Sequence, residues 1–193
     1  MQKRSPKLVR LVLLLSLVYL LMPMGGAIAQ QSFNWQRLSV APQDLLERVQ
    51  KDYAIDSGLE QPIDIRQMHL LQVRQPGARE LFLINTRLAG KGSTANPTCG
   101  QAGCLFYGYV PFAKKYKRVL NGYINDFQVE SAPPPIEPIK KVVNELPCLQ
   151  LTLYQSQSTQ LLSSQLCFDG QEYQPIAPPR VLRQLKQQSL SPG

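Results

Sequence analysis

The sequence predicts an α+β domain, with an N-terminal helix packed on a mostly antiparallel, hairpin-built β-sheet that is stapled by disulfides. Three observations carry this prediction. One segment after position 40 has apolar residues at helical spacing. From Pro62 onward, short β-branched and aromatic runs alternate with Gly, Pro, Asn and Ser turns. The four cysteines form one close pair, Cys99 and Cys104, and one wider pair, Cys148 and Cys167.

The first thirty residues read as a targeting segment. Lys3, Arg4, Lys7 and Arg10 precede a charge-free apolar run from Leu11 to Met22, and Pro23, Gly25 and Gly26 break it before Ala27 and Ala29. This is the layout of a signal peptide over residues 1–29, with cleavage before Gln30. The run is short for a spanning helix, which needs about 20 apolar residues, so no transmembrane anchor is expected after cleavage. The expected location is therefore exported: a periplasm, an equivalent lumen or the medium. The formal charge of +8 includes four positives in the signal, so about half remains afterwards. That excess is too small for a nucleic-acid binder, and export points the same way. Four cysteines in an oxidising compartment read as two disulfides.

Each element follows from local pattern. In "SVAPQDLLERVQKDYAIDSG", Pro42 and Asp44 suit a first turn, Leu45, Leu46, Val49 and Tyr53 form one stripe, and Gly58 marks the exit. Glu47 and Lys51 stand at i, i+4. "IDIRQMHLLQV" reads as a strand from Ile63 with a change of phase near Met68. Pro76-Gly77 turns the chain into a second strand, "ELFLINTRL". The glycine-rich loop after it leads to "CLFYGYVPF" and "YKRVLNGYINDFQV", both β in character. "SAPPPIEP" is irregular because consecutive prolines remove donors and fix φ. "IKKVVNEL" reads as a short helix. "CLQLTLY" and "QLLSSQLCF" form a late hairpin, and a basic tail is expected over 179–193. The single domain is assigned to 30–178.

The cysteines are better staples than ligands or catalysts. A zinc site needs three or four compactly spaced ligands, and the only histidine, His69, lies inside an apolar strand. Redox catalysis favours C-x-x-C at a helix N-terminus, whereas "CGQAGC" is longer and runs into a strand. Gly100 and Gly103, flanking Gln101-Ala102, allow the small loop to close on Cys99–Cys104. If the late hairpin turns about "SQST", Leu149 faces Leu166, Tyr154 faces Leu161 and Cys148 faces Cys167. Directly opposed positions bring Cβ atoms close enough to bridge.

No catalytic residues are assigned. Nucleophile motifs and phosphate loops are missing from the sequence, and Asp52, Asp56 and Asp64 read as solvated acids rather than a glycosidase pair. No metal or cofactor is implied. What is left is a binding face in which Tyr107, Tyr109, Phe112, Tyr116 and Tyr123 interleave with Lys114, Lys115, Lys117 and Arg118. Such a face suits a glycan, an acidic protein or an anionic headgroup, although the same residues also suit core aromatics beside a solvated basic turn.

"CGQAGCLFYGYV", followed by a hairpin ending in "CFDGQEYQPI", resembles a group of small exported bacterial proteins of unknown function. In that group a CG-x-x-GC segment enters an aromatic strand and a late hairpin closes with D-G-x-x-Y. The resemblance spans about Leu81 to Ile176, and Cys148 and Cys167 depart from its pattern. It implies a compact, disulfide-linked β-rich domain and no particular reaction. The expectation is a non-enzymatic exported domain that binds an envelope or secreted protein. The alternatives are an inhibitor of an exported hydrolase and an envelope enzyme using carboxylates.

Overall fold

The computed structural model describes residues 34–59, 63–88, 96–100, 102–125, 135–155 and 160–184. The expected signal peptide, residues 89–95 of the loop before Cys99, residues 131–134 of the proline-rich segment and the "SQST" turn lie outside the described residues.

Helix α1 spans Gln43–Ser57, close to the predicted limits. Pro42 precedes it with extended ψ, the Asp44 carboxylate accepts the Leu45 N–H at 3.1 Å, and Gly58 ends it at φ 62°. Leu45, Leu46, Val49, Asp52 and Tyr53 form its buried face. Glycine at the exit removes the Cβ penalty of the left-handed region.

Strands β1 (Gln36–Arg37), β2 (His69–Val73), β3 (Leu81–Asn85), β4 (Cys99–Gly100), β5 (Gly103–Phe112) and β6 (Lys115–Ile124) form one antiparallel sheet. Its order is β1-β2-β3-β5-β4, with β6 also paired to β5. A second antiparallel sheet contains β7 (Ile136–Val143), β8 (Leu146–Gln155), β9 (Gln160–Phe168), β10 (Tyr173–Pro175) and β11 (Arg180–Gln184), in the order β10-β9-β8-β7 with β11 on β9.

The expected single sheet is therefore two. Every residue of β3 is buried, and β5 is buried from Gly103 to Val110. Side chains alternate across a strand, so such runs need a cover on each face. Leu81, Leu83, Cys104, Phe106 and Val110 meet Ile136, Leu149, Leu151 and Leu166 of the second sheet. Phe82, Ile84, Leu105, Tyr107 and Tyr109 meet Leu45, Val49 and Tyr53 of α1. The result is three layers: helix, sheet, sheet.

Four local expectations change. The strand expected from Ile63 begins at His69, because the Asp64 carboxylate accepts the Arg66 N–H at 3.2 Å and caps a 3-10 turn, Ile65–Gln67. The expected helix over "IKKVVNEL" is strand β7, which already starts at Ile136 inside the "SAPPPIEP" segment expected to be irregular: Ile136 pairs with Leu151, Pro138 with Leu149 and Val143 with Leu146. Asn144 and Glu145 close that hairpin at φ 48° and 65°, the twist that suits a two-residue turn. The basic tail begins later than 179, since Arg180–Gln184 pair with Gln160–Ser163 as β11. Residues 185–193 lie outside the described residues.

Both disulfides form between directly opposed residues. Cys99 pairs with Cys104 across β4 and β5, with Cα atoms 4.0 Å apart. The β8–β9 register sets Leu149 against Leu166 and Tyr154 against Leu161, as the hairpin arithmetic requires. Continuing that register brings Cys148 and Cys167 to a Cα separation of 4.4 Å. Gly103 sits at φ 103°, where a Cβ would stand 2.1 Å from the Ile124 carbonyl oxygen. Only glycine fits this close approach.

Candidate functional site

Strands β5 and β6 join through Ala113-Lys114, with Phe112 opposite Lys115. Ala113 holds φ 52°, an uncommon value for a non-glycine residue. The surrounding contacts brace the tip. The Arg79 side chain donates to the Pro111 carbonyl, and the Arg79 N–H donates to the Glu145 carbonyl at 2.7 Å. Phe112 is 62% exposed, and Lys114, Lys115 and Lys117 are exposed beside it. Lys117 lies over the Phe168 ring at 5.9 Å. Tyr116 is half-buried and packs edge-on against Phe82.

The structure corrects the predicted binding face at three residues. Tyr107 and Tyr109 are fully buried. They lie on the face of β5 that α1 covers, so alternation along the strand removes them from solvent. Arg118 turns to the same side and is taken up by carboxylates of the helix. The basic turn and the aromatic strand are thus two separate features: an exposed tip and an internal polar cluster.

That cluster is built from α1, β5 and β6. Asp52 Oδ2 accepts from Arg48 Nε at 2.9 Å and from the Tyr109 hydroxyl at 2.9 Å, and Arg118 Nη1 stands 3.9 Å away. Asp56 Oδ2 accepts from Arg118 Nη1 at 2.7 Å and from the Tyr107 hydroxyl at 3.0 Å. The Arg118 guanidinium also lies over the Tyr107 ring, 5.5 Å from its centre. Two acids face two arginines, so the formal charges cancel, and each phenol donates to a carboxylate. Buried charges are tolerated in this paired form.

Burial pushes the Tyr107 and Tyr109 phenols up, and the carboxylates of Asp56 and Asp52 push them further. Burial alone would lower Arg118, but Asp52 and Asp56 outweigh it and hold the guanidinium up. The cluster is a helix-to-sheet clamp with its donors and acceptors matched. Asp52 and Asp56, expected to be solvated, are its anions. The sequence signal was the i, i+4 spacing of Arg48, Asp52 and Asp56 along the edge of the apolar stripe. The ion pair on this helix is Arg48–Asp52, while Glu47 accepts from Gln43 at 3.2 Å.

An open groove of about 580 Å3 lies between α1 and the 3-10 turn, lined by Glu47, Gln50, Lys51, Asp64 and Arg66 among others. Its two acids hold local hydrogen bonds, Glu47 with Gln43 and Asp64 with Arg66 and Gln67. Among the described residues, no group of three or more His, Cys, Asp or Glu side chains is placed to hold a metal ion. Among the same residues, no helix is long and apolar enough to cross a membrane.

Fold and site together define a disulfide-stapled α+β domain with three layers and a braced basic hairpin tip. Comparison with family models, curated proteins and solved structures finds no match to this chain.

Proposed function

We propose that this chain is an exported, non-enzymatic binding domain of the cell envelope, and that it docks on an acidic partner through the β5–β6 tip. The observation that carries the reading is the combination of rigidity and unspent charge at this tip. Ala113 is held in a left-handed conformation, the Pro111 carbonyl is fastened by Arg79, and Lys114 and Lys115 stand in solvent. Among the described residues no ion pair engages either lysine. A preformed tip loses little freedom on binding. Export is supported by the signal-like N-terminus, and the two disulfides are compatible with it. The resemblance to small exported bacterial proteins supports the same class.

The test is retention by native envelope. Lys114→Glu with Lys115→Glu shifts the charge by four units and spares Lys117, which packs on Phe168. At exposed positions each change should alter stability by no more than about 0.5 kcal/mol. The wild type should bind envelope in a salt-sensitive way, and the double variant should bind far more weakly. A folded double variant retained like the wild type would overturn the proposal.

A further inference from the structure

We infer that the end of the sandwich bearing this tip docks on an anionic lipid headgroup layer; the inference rests on the binding role proposed above and names the partner. Three turns meet at this end. The Arg79 backbone of the β2–β3 turn donates to Glu145 of the β7–β8 turn, and its side chain reaches Pro111 at the base of the β5–β6 tip. Gln75 of the β2–β3 turn donates to the Lys140 carbonyl at 2.8 Å. The β5–β6 hairpin carrying Lys114 and Lys115 and the β7–β8 hairpin carrying Lys140 and Lys141 are thereby tied together at one end of the sandwich.

All four lysines are exposed, and among the described residues none is in an ion pair. The other charges nearby have partners of their own, although Glu145 and Asp169 are themselves exposed. Arg74 meets Glu80 at 2.6 Å, Arg79 stands 4.0 Å from Glu145, and Asp169 accepts from its own turn at Gln171 and Glu172. The one large apolar side chain at the tip is Phe112, 62% exposed.

This arrangement matches a membrane surface better than a protein. Protein interfaces are depleted of lysine and are centred on a desolvated apolar core, whereas here a single phenylalanine stands among flexible lysines. A discrete anion would need donors converging on one point, whereas these come from two hairpins. A layer of anionic headgroups presents distributed charge, which a cluster of at least four lysines recognises without pocket geometry. An aromatic side chain at the tip enters the headgroup boundary.

The experiment uses the chain from Gln30 onward, the expected mature form without the apolar N-terminus. It is sedimented with phosphatidylglycerol vesicles and, separately, with phosphatidylcholine vesicles. Binding is expected with the first only, and it should fall with salt. Lys114→Gln with Lys115→Gln should lower partitioning by about twenty-five-fold, at about fivefold per lysine. Lys140→Gln with Lys141→Gln should act similarly from the other hairpin. Phe112→Ser should weaken binding by about tenfold and leave its salt dependence unchanged. Equal binding to both vesicles, no binding to either, or lysine variants that bind like the wild type would overturn the inference. If envelope retention depends on Lys114 and Lys115 while vesicles are ignored, the partner is an acidic protein or glycan; the lipid assignment then falls and the binding role stands. If envelope retention is also indifferent to these lysines, both fall.

Discussion

Asp52→Ala tests the internal clamp most directly. Asp52 is 5% exposed and accepts from two donors of very different burial. Arg48 has a side chain 40% exposed, so water takes over its hydrogen bonds and its loss costs little. The Tyr109 hydroxyl is fully buried, and without Asp52 it becomes an orphan donor at a cost of about 1–3 kcal/mol. Arg118 keeps Asp56 but loses its second anion. Together these predict a destabilisation of about 2–4 kcal/mol. Tyr109→Phe should cost about 1–2 kcal/mol, since Asp52 keeps Arg48. In the double variant no phenol is left unpaired, so its cost should fall short of the sum by at least about 1 kcal/mol. Urea unfolding followed by circular dichroism measures all three. A single-variant cost below about 1 kcal/mol, or additivity within about 0.5 kcal/mol, would refute the clamp.

Alkaline pH should unfold the protein through its buried phenols. Burial raises Tyr107, Tyr109 and Tyr173 in the fold, while the unfolded chain ionises near the ordinary phenol value of about 10. Their contribution is thus complete below about pH 10 and is lost as the pH rises toward the folded values. Phenolate absorbance should show these three ionising only with loss of the native fold; ionisation near pH 10 in an intact fold would contradict this. Replacing Cys148 and Cys167 by alanine should cost about 3 kcal/mol, and replacing Cys99 and Cys104 about 2 kcal/mol, because the first pair closes the longer loop. Denaturant midpoints check the order, and a larger loss from the smaller loop would reverse the reading. Gly103→Ala drives a Cβ into the Ile124 carbonyl and should cost more than about 3 kcal/mol. Near-wild-type thermal stability of this variant would mean that the β4–β5 corner yields.

What the sequence determined by itself was the short-range physics. Helix α1 was legible because Leu45, Leu46, Val49 and Tyr53 recur at its period and Gly58 supplies the left-handed exit. The Cys148–Cys167 pair was legible because antiparallel register follows from where a hairpin turns. Tertiary structure decided which faces are covered. Tyr107 and Tyr109 alternate with Phe106 and Val110 whatever lies above them, and strand periodicity says nothing about whether water or a helix does. Once α1 covers one face and a second sheet the other, the aromatic half of the predicted binding face becomes core. Asp52 and Asp56 then turn from solvated acids into partners of Tyr109, Tyr107 and Arg118. The β7 segment went the same way. Its lysines and valines suit either structure locally, and pairing with β8 made it a strand. The lysines of the tip kept their place in solvent because a two-residue turn has no further layer to bury them.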